Sequence, residues 1–174
     1  MEDGKDAYIR FLKGDEEAFE EIVYLYREPL ILYINGYTQN IYEAEDLTED
    51  TFFKLLVKKP LFISKGSFKA WIYTIARNIT LDHLRHQSLH KEVELNEQIG
   101  YEQTYYDDKK MWVVEAMKKI NPDYSNVLYL KFYEDFSNEE IARIIHKNKR
   151  QVETLLYRAK AAIQKELEAT RDEN

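Results

Sequence analysis

The stretch that decides the fold of this 174-residue chain runs from Ser137 to Lys160 and reads SNEEIARIIHKNKRQVETLLYRAK. It opens with a serine followed three residues later by a glutamate, which is the capping-box pattern of a helix start. Apolar residues then recur at helical spacing on both sides of a polar interruption at 146–148. These dimensions predict a helix-turn-helix, in which two helices cross at a sharp turn.

The residue types inside this stretch fit the packing of such a motif. Ala142 supplies the small residue that a close helix crossing needs, and His146 occupies the turn position where glycine is commonest. Val152 is placed to pack the second helix back onto the first. Arginine and glutamine can bind base edges through two hydrogen bonds, and lysine can reach phosphate. The residues predicted to face DNA are therefore Asn148, Lys149, Arg150, Gln151 and Thr154.

The same pattern also fits an ordinary helical hairpin on a bundle. His146 must adopt a backbone conformation that favours glycine, and the acidic Glu153 lies near the predicted DNA face. The motif alone therefore leaves DNA binding open.

The rest of the chain predicts an all-α protein, because glycine (5) and proline (3) are scarce and no alternating strand pattern occurs. Before the motif, we expect helices from Asp6 to Leu12, from Ala18 to Tyr26, from Pro29 onward and from near Glu43, with Pro29 in a first turn. Asn121-Pro122 separates two helices just upstream of the motif. The residues from 87 to 108 lose the apolar pattern. The predicted organisation is two small helical bundles, 1–88 and 109–174, joined by a flexible acidic linker, 89–108.

A second informative segment, Lys65 to Arg85, combines basic, aromatic and amide residues. Rings can stack on unpaired bases while cations hold the backbone, so this composition suits single-stranded DNA. Ser67 is the predicted N-cap, after a loop from Lys58 to Gly66. By periodicity Trp71 belongs to the core, whereas Tyr73 lies off the apolar stripe and is the predicted exposed ring.

Charge is distributed unevenly along the chain, whose formal net charge is −7. Residues 1–64 carry 7 basic and 14 acidic residues, whereas 65–91 carry 5 and 1. Residues 92–108 carry six acids and no base, and 109–170 carry 12 bases and 9 acids. Two segments could therefore face phosphate, although the chain as a whole is acidic.

Several classes of protein are disfavoured by what the sequence lacks. There is no cysteine, no glycine-rich phosphate loop and no nucleophile motif, so we expect neither an enzyme nor a cofactor. No long apolar run or signal core is present, which predicts a soluble, cytoplasmic protein without membrane insertion. His83, His86 and His90 could share one helical face, but a solvated polar face explains them better than a metal site.

The motifs taken in order resemble those of the extracytoplasmic-function sigma factors of bacterial RNA polymerase. Residues 68–78, FKAWIYTIARN, with Asp82 and Arg85, are similar to the family's promoter-melting helix. Residues 44–52, AEDLTEDTF, resemble its polymerase-binding helix, and 14–19, GDEEAF, its usual opening. Residues 129–137, the helix-turn-helix and residues 157–160, YRAK, resemble its minus-thirty-five-reading domain.

The resemblance implies a role for each segment. Core polymerase would be bound through its largest-subunit clamp helices and its flap, with Asp46, Glu49, Asp50 and Phe53 as contacts on this chain. The minus-ten element and the melted strand would be held by Lys65, Ser67, Lys69, Tyr73, Arg77, Asn78, Asp82 and Arg85. Arg158 would join the minus-thirty-five contacts. The implied partners are core RNA polymerase, promoter DNA and an anti-sigma factor, the last expected to be membrane-anchored.

Two other functions stay open. A stand-alone helix-turn-helix regulator would bind duplex DNA as a dimer, and a sigma-like interaction protein would bind polymerase or an anti-sigma factor with weakened DNA reading. The second is favoured by departures from the family pattern at His146, Lys147, Glu153 and Leu155.

Overall fold

The computed structural model describes residues 3–63, 65–90 and 111–172 of the chain. These ranges form eight α-helices and one π-helix, with no strand among them, which confirms the predicted all-α class. None of the helices in this described part combines the length and the hydropathy that a membrane span requires.

The chain divides into two compact units, residues 1–98 and 99–174. The predicted linker lies outside the described residues from position 91 onward. Its first two residues, Leu89 and His90, are helical and continue the last helix of the first unit. The helix does not end earlier because no glycine or proline occurs between positions 67 and 99.

The first unit contains α1 (Lys5–Leu12), α2 (Glu17–Thr38), α3 (Ile41–Lys58) and α4 (Phe68–His90). Helix α2 packs against the other three helices, and α4 also packs against α3. Helix α3 begins two residues before the predicted position, because the Asn40 side chain caps it. Asn40 Oδ1 accepts the backbone N–H groups of Tyr42 and Glu43 at 3.1 and 3.3 Å.

The prediction of a separate helix starting at Pro29 is wrong. Pro29 lies inside the continuous helix α2, although an interior proline removes a hydrogen bond and costs about 3 kcal/mol. Leu30, Ile31 and Ile34 are completely buried on its C-terminal side and Tyr26 is buried on its N-terminal side. Each such side chain stabilises by about 1.5–3 kcal/mol on burial, so packing along the whole helix outweighs the break.

An aromatic cluster fixes the loop between α3 and α4. Phe62 in this loop lies 5.6 Å from the ring of Phe68 and 5.3 Å from that of Trp71. Tyr8 of α1 contacts the same two rings, and its hydroxyl donates to the Pro60 carbonyl at 2.5 Å. Trp71 is half-buried rather than fully in the core, because it lies at the edge of this cluster.

The start of α4 is capped by two side chains. The Ser67 hydroxyl accepts the Ala70 N–H at 3.1 Å, which confirms the predicted N-cap. The Asp3 carboxylate accepts the Phe68 N–H at 3.0 Å, a contact that bridges 65 residues of sequence. A carboxylate at this end also interacts favourably with the helix dipole. The two caps therefore fix the first turn of α4 against the N-terminal segment.

The second unit contains α5 (Met111–Lys119), α6 (Pro122–Leu128), a π-helix (Tyr129–Tyr133), α7 (Asn138–Ile144) and α8 (Lys149–Asp172). Helix α8 packs against α5, α6 and α7. Asn121-Pro122 separates α5 from α6, as predicted from sequence, with Asn121 as the N-cap of α6 and Pro122 in its first turn. After the π-helix, the buried carboxylate of Glu134 accepts the hydroxyl of Tyr129 at 2.9 Å.

Candidate nucleic-acid interface

The predicted helix-turn-helix is formed by α7 and α8. Ser137 and Glu140 make the two reciprocal hydrogen bonds of a capping box, at 3.2 and 2.9 Å. Ala142 and Val152 are buried where the two helices meet. His146 has φ of 55°, the left-handed conformation expected for this turn position, and histidine is one of the residues that tolerate it best. The predicted packing of the motif is confirmed.

A second reciprocal cap begins α8 and involves two predicted DNA-contacting residues. Asn148 Oδ1 accepts the Gln151 N–H at 2.8 Å, and Gln151 Oε1 accepts the Asn148 N–H at 2.9 Å. The side-chain oxygens expected to face bases therefore accept backbone N–H groups that lack a partner within the helix at the start of α8. This capping role was not predicted, although the three-residue spacing from Asn148 to Gln151 matches that of a capping box.

Lys149, a predicted phosphate contact, pairs with Glu139 of α7. Its Nζ lies 2.7 Å from Glu139 Oε1, and both side chains are more than half exposed. The hydrogen bond to Lys149 lowers the pKa of Glu139, and the same bond raises the pKa of Lys149. The pair links the two helices of the motif, so Lys149 has a protein partner before any DNA is bound.

The outward face of α8 carries a set of residues at helical spacing. Arg150, Glu153, Thr154 and Tyr157 stand at i, i+3, i+4 and i+7, and all four are exposed. Arg158 is also exposed next to this face. Glu153 lies on this face, as predicted from the sequence. Tyr157 was not predicted there, although its spacing of seven residues from Arg150 indicates the same face.

On α4, three of the predicted minus-ten residues form an exposed stripe. Asn78, Asp82 and Arg85 are exposed and stand at i, i+4 and i+7. Arg85 Nη2 lies 2.6 Å from Asp82 Oδ1, so the two residues form a surface ion pair. A pair this exposed contributes about 0–1 kcal/mol, so it can open to bind another group.

The prediction of an exposed ring at Tyr73 is wrong. Its side chain is fully buried, at 0% exposure, and its ring centroid lies 5.0 Å from that of Tyr33. Helix α4 packs against both α2 and α3, so the buried part of its surface is wider than one apolar stripe. Tyr73 lies within this wider surface and belongs to the core.

Arg77 is tied to the same tyrosine cluster. Its Nε donates to the Tyr37 hydroxyl at 3.1 Å, and that oxygen lies 3.3 Å from the Tyr33 hydroxyl. Burial raises the pKa of Tyr33 well above its ordinary value, while the nearby charge of Arg77 acts in the opposite direction. Arg77 is half-buried and therefore has a structural role in addition to any contact with DNA.

The remaining minus-ten candidates lie at the start of α4. Lys65 is exposed in the loop, and Lys69 is half-buried in the first turn of the helix. Ser67 is half-buried and uses its hydroxyl as the N-cap of α4. Of these three candidates, only Lys65 is exposed.

Helix α3 presents the predicted polymerase contacts on one side. Asp46, Glu49 and Asp50 are exposed, and Phe53 follows on the same face at 64% exposure. Val57 extends the face and is also exposed. One face of α3 thus carries three exposed carboxylates followed by two exposed apolar side chains, and the first unit does not bury them.

The histidines considered as metal ligands do not form a cluster. His83 Nε2 lies 2.5 Å from Glu43 Oε1, and the Gln87 amide donates to the same oxygen. His86 and His90 are exposed. Across residues 3–63, 65–90 and 111–172, no group of three or more candidate ligands could hold a metal ion. The contacts of His83 instead join α4 to the first turn of α3.

Comparison with known families identifies both units. The model described as Sigma-70 region 2 matches residues 22–89, and that described as Sigma-70, region 4 matches residues 110–163. The chain belongs to the sigma-70 family. Within this sigma factor, region 2 includes α3 and α4, and region 4 includes the helix-turn-helix.

Relatives over nearly the full length define the kind of sigma factor. The chain is 27% identical over 166 residues to RNA polymerase sigma factor YlaC of Bacillus subtilis (strain 168), covering 90% of this chain and 96% of the relative. It is 28% identical over 171 residues to ECF RNA polymerase sigma factor SigW of the same strain, covering 89% and 91%. It is thus an extracytoplasmic-function sigma factor, an alternative sigma factor for transcription initiation.

Solved structures share the fold. The sigma factor RpoE of Bartonella quintana, in complex with the anti-sigma factor NepR, matches with a TM-score of 0.73 at 22% identity, covering 86% of this chain and 96% of that chain. CnrH, in complex with the cytosolic domain of CnrY, matches with a TM-score of 0.71 at 19% identity, covering 97% and 99%.

Proposed function

We propose that this sigma factor binds core RNA polymerase through the exposed face of α3, captures the minus-ten element with α4, and reads the minus-thirty-five element with α8. The observation that carries the proposal is the confirmed helix-turn-helix, whose second helix begins with an exposed cationic turn. Base-edge contacts in this motif come from that part of the second helix.

The α3 face has the chemistry of a protein-binding surface. Exposed carboxylates at Asp46, Glu49 and Asp50 can be paired by a basic partner, which favours fast and selective association. Phe53 offers an exposed ring, and aromatic side chains are enriched among the residues that dominate interface energies. The family resemblance implies the clamp helices of the largest polymerase subunit as the partner, with the flap as the partner of region 4.

DNA contact by α4 would use its exposed cations and amide rather than Tyr73. Lys65, Asn78 and Arg85 are exposed, and Arg85 can exchange its pairing with Asp82 for a phosphate. Because the chain is acidic overall, we expect weak binding of free DNA at about 150 mM salt. Polymerase would then supply most of the phosphate neutralisation. We accordingly expect the sigma factor in the cytoplasm, where bacterial RNA polymerase works.

An anti-sigma factor is the remaining proposed partner. Two solved structures that share the fold are complexes: the sigma factor RpoE with the anti-sigma factor NepR, and CnrH with the cytosolic domain of CnrY. By analogy, we propose that this sigma factor is held inactive by a protein of that class. The membrane anchoring of such a protein stays a prediction from the family resemblance alone.

Reconstituted transcription tests the proposal. Adding the full chain to purified core polymerase should give run-off transcripts from the promoter upstream of its own gene. Phe53→Asp and Asp50→Lys should weaken holoenzyme formation, measured by co-elution with core polymerase. Two control variants change exposed residues of α2 instead. Tyr24→Asp replaces an aromatic ring by a carboxylate, as Phe53→Asp does, and Glu20→Lys reverses a charge, as Asp50→Lys does. Both controls should leave co-elution unchanged.

Three outcomes separate the candidate functions. Transcription that depends on the added chain supports the sigma-factor proposal. Tight binding to a duplex operator without polymerase would instead identify a stand-alone regulator. Binding to core polymerase without initiation at any promoter would identify an interaction protein that no longer reads DNA.

A further inference from the structure

The exposed face of the recognition helix α8 includes a carboxylate at a position that can reach base edges. Glu153 is the fifth residue of α8, one turn after Lys149 and Arg150. It is exposed, and it makes no hydrogen bond or ion pair with any residue in the described ranges, although its charge acts on Lys149 and helps to raise the pKa of that lysine. A carboxylate is repelled by phosphate. If α8 enters the major groove, the Glu153 side chain therefore contributes favourably to binding only where it faces a hydrogen-bond donor on a base.

The neighbouring polar side chains at the start of α8 are already engaged. Asn148 and Gln151 each use their side-chain oxygen in the reciprocal cap, and reading adenine requires both the oxygen and the nitrogen of an amide. Lys149 is paired with Glu139 of α7. Thr154 Oγ1 donates to the Arg150 carbonyl at 3.1 Å. The charged groups of Arg150 and Glu153 are exposed beside these engaged side chains.

The pattern of donors in the major groove selects the base that Glu153 can accept. Cytosine presents its N4 amino group and adenine presents its N6 amino group. Adenine also presents the acceptor N7 beside N6, which repels a carboxylate, whereas cytosine has no acceptor on this edge. Guanine and thymine present only acceptors or a methyl group. Cytosine is therefore the base that a carboxylate favours.

We propose that Glu153 sets a cytosine preference in the minus-thirty-five element, at a base pair next to a guanine bound by Arg150. Three residues of α-helix rise by about 4.5 Å, close to the separation of about 3.4 Å between neighbouring base pairs. The inference rests on the proposed function, because it requires α8 to enter the major groove of a promoter.

The test is initiation by reconstituted holoenzyme on a promoter library with a fixed minus-ten element and a randomised minus-thirty-five element. The unmodified chain should enrich cytosine at one position by about tenfold, since a mismatched base pair costs about 1–3 kcal/mol. Glu153→Ala should abolish that enrichment and leave the other positions unchanged. Glu153→Gln should shift the preference at the same position towards adenine, the base that glutamine recognises.

Glu168→Gln is the matched control, because Glu168 is an exposed carboxylate on the same helix four turns beyond Glu153. It removes the same charge and should leave every base preference unchanged. Circular dichroism melting of each full-length variant verifies folding.

The outcomes separate this inference from the function on which it rests. If the unmodified chain initiates transcription without enriching cytosine, the assignment of Glu153 is overturned. The same holds if the cytosine preference survives Glu153→Ala. Failure of the unmodified chain to initiate on any library member would overturn the proposed function, and this inference with it.

Discussion

Replacing Tyr73 by alanine should destabilise the first unit, because its ring belongs to the core. The side chain has 0% exposure, and its ring lies 5.0 Å from that of Tyr33. Truncating a buried aromatic residue costs about 3–5 kcal/mol, of which an aromatic pair contributes about 0.5–1.5 kcal/mol. A whole domain is stabilised by only about 5–15 kcal/mol, so the variant should lose a large share of its stability.

A ring that stacked on a DNA base would give the opposite pattern. Its removal would weaken DNA binding by about 1–3 kcal/mol. Substitution at an exposed position would change the free energy of unfolding by about 0.5 kcal/mol or less. The two roles therefore differ most clearly in the stability of the free protein.

Tryptophan fluorescence during urea unfolding can measure this stability. The chain has two tryptophans, so a Trp112→Phe background leaves Trp71 as the reporter. Trp71 belongs to the first unit, with its ring 5.3 Å from both Tyr8 and Phe62. Tyr73→Phe is the control, because it retains the ring and removes only the hydroxyl, so it should cost much less than Tyr73→Ala.

Promoter opening by the reconstituted holoenzyme is the second measurement. Tyr73→Phe should open promoters as the parent does, and Tyr73→Ala should lose opening only as far as it loses folded protein. The reasoning is refuted if Tyr73→Ala unfolds within about 0.5 kcal/mol of the parent while promoter opening falls tenfold or more.

Three further predictions follow from local geometry. Ser137→Ala removes the cap of α7 and should lower the unfolding free energy of the second unit by about 0.5–2 kcal/mol, measured by hydrogen exchange of α7 peptides. His146→Val should cost about 1–2 kcal/mol or more in thermal unfolding, because a β-branched residue tolerates φ of 55° poorly, whereas His146→Gly should be tolerated. Burial raises the pKa of Tyr8 from 10.0 to about 12. The folded state therefore favours the protonated phenol, and its stabilising contribution should be complete below pH 10 and lost as the pH rises towards 12, as urea titrations can measure.

Each of these has a contradicting result. Exchange rates in α7 that match the parent would show that the capping box contributes nothing to stability. Equal melting temperatures for the valine and glycine variants at position 146 would show that the turn is not constrained. For Tyr8, the control is Tyr8→Phe, and an identical loss of stability at alkaline pH in that variant would assign the loss to other groups.

Local sequence patterns were sufficient to predict the helical class, the helix-turn-helix and its turn. These depend on local rules: the spacing of apolar residues, the three-residue spacing from Ser137 to Glu140, and the small residue at Ala142. The same local spacing also indicates that Tyr157 lies on the face of Arg150. The motifs of sigma-70 regions 2 and 4 could also be recognised from the sequence, because each motif is a continuous segment of the chain.

Tertiary packing, by contrast, determines which side chains of those helices are available for binding. Tyr73 is buried because α4 packs against two helices at once, and α2 continues through Pro29 because buried residues on both sides outweigh one lost hydrogen bond. The pairing of Lys149 with Glu139 depends on how α7 crosses α8. Such contacts join residues distant in sequence, and no local pattern specifies them.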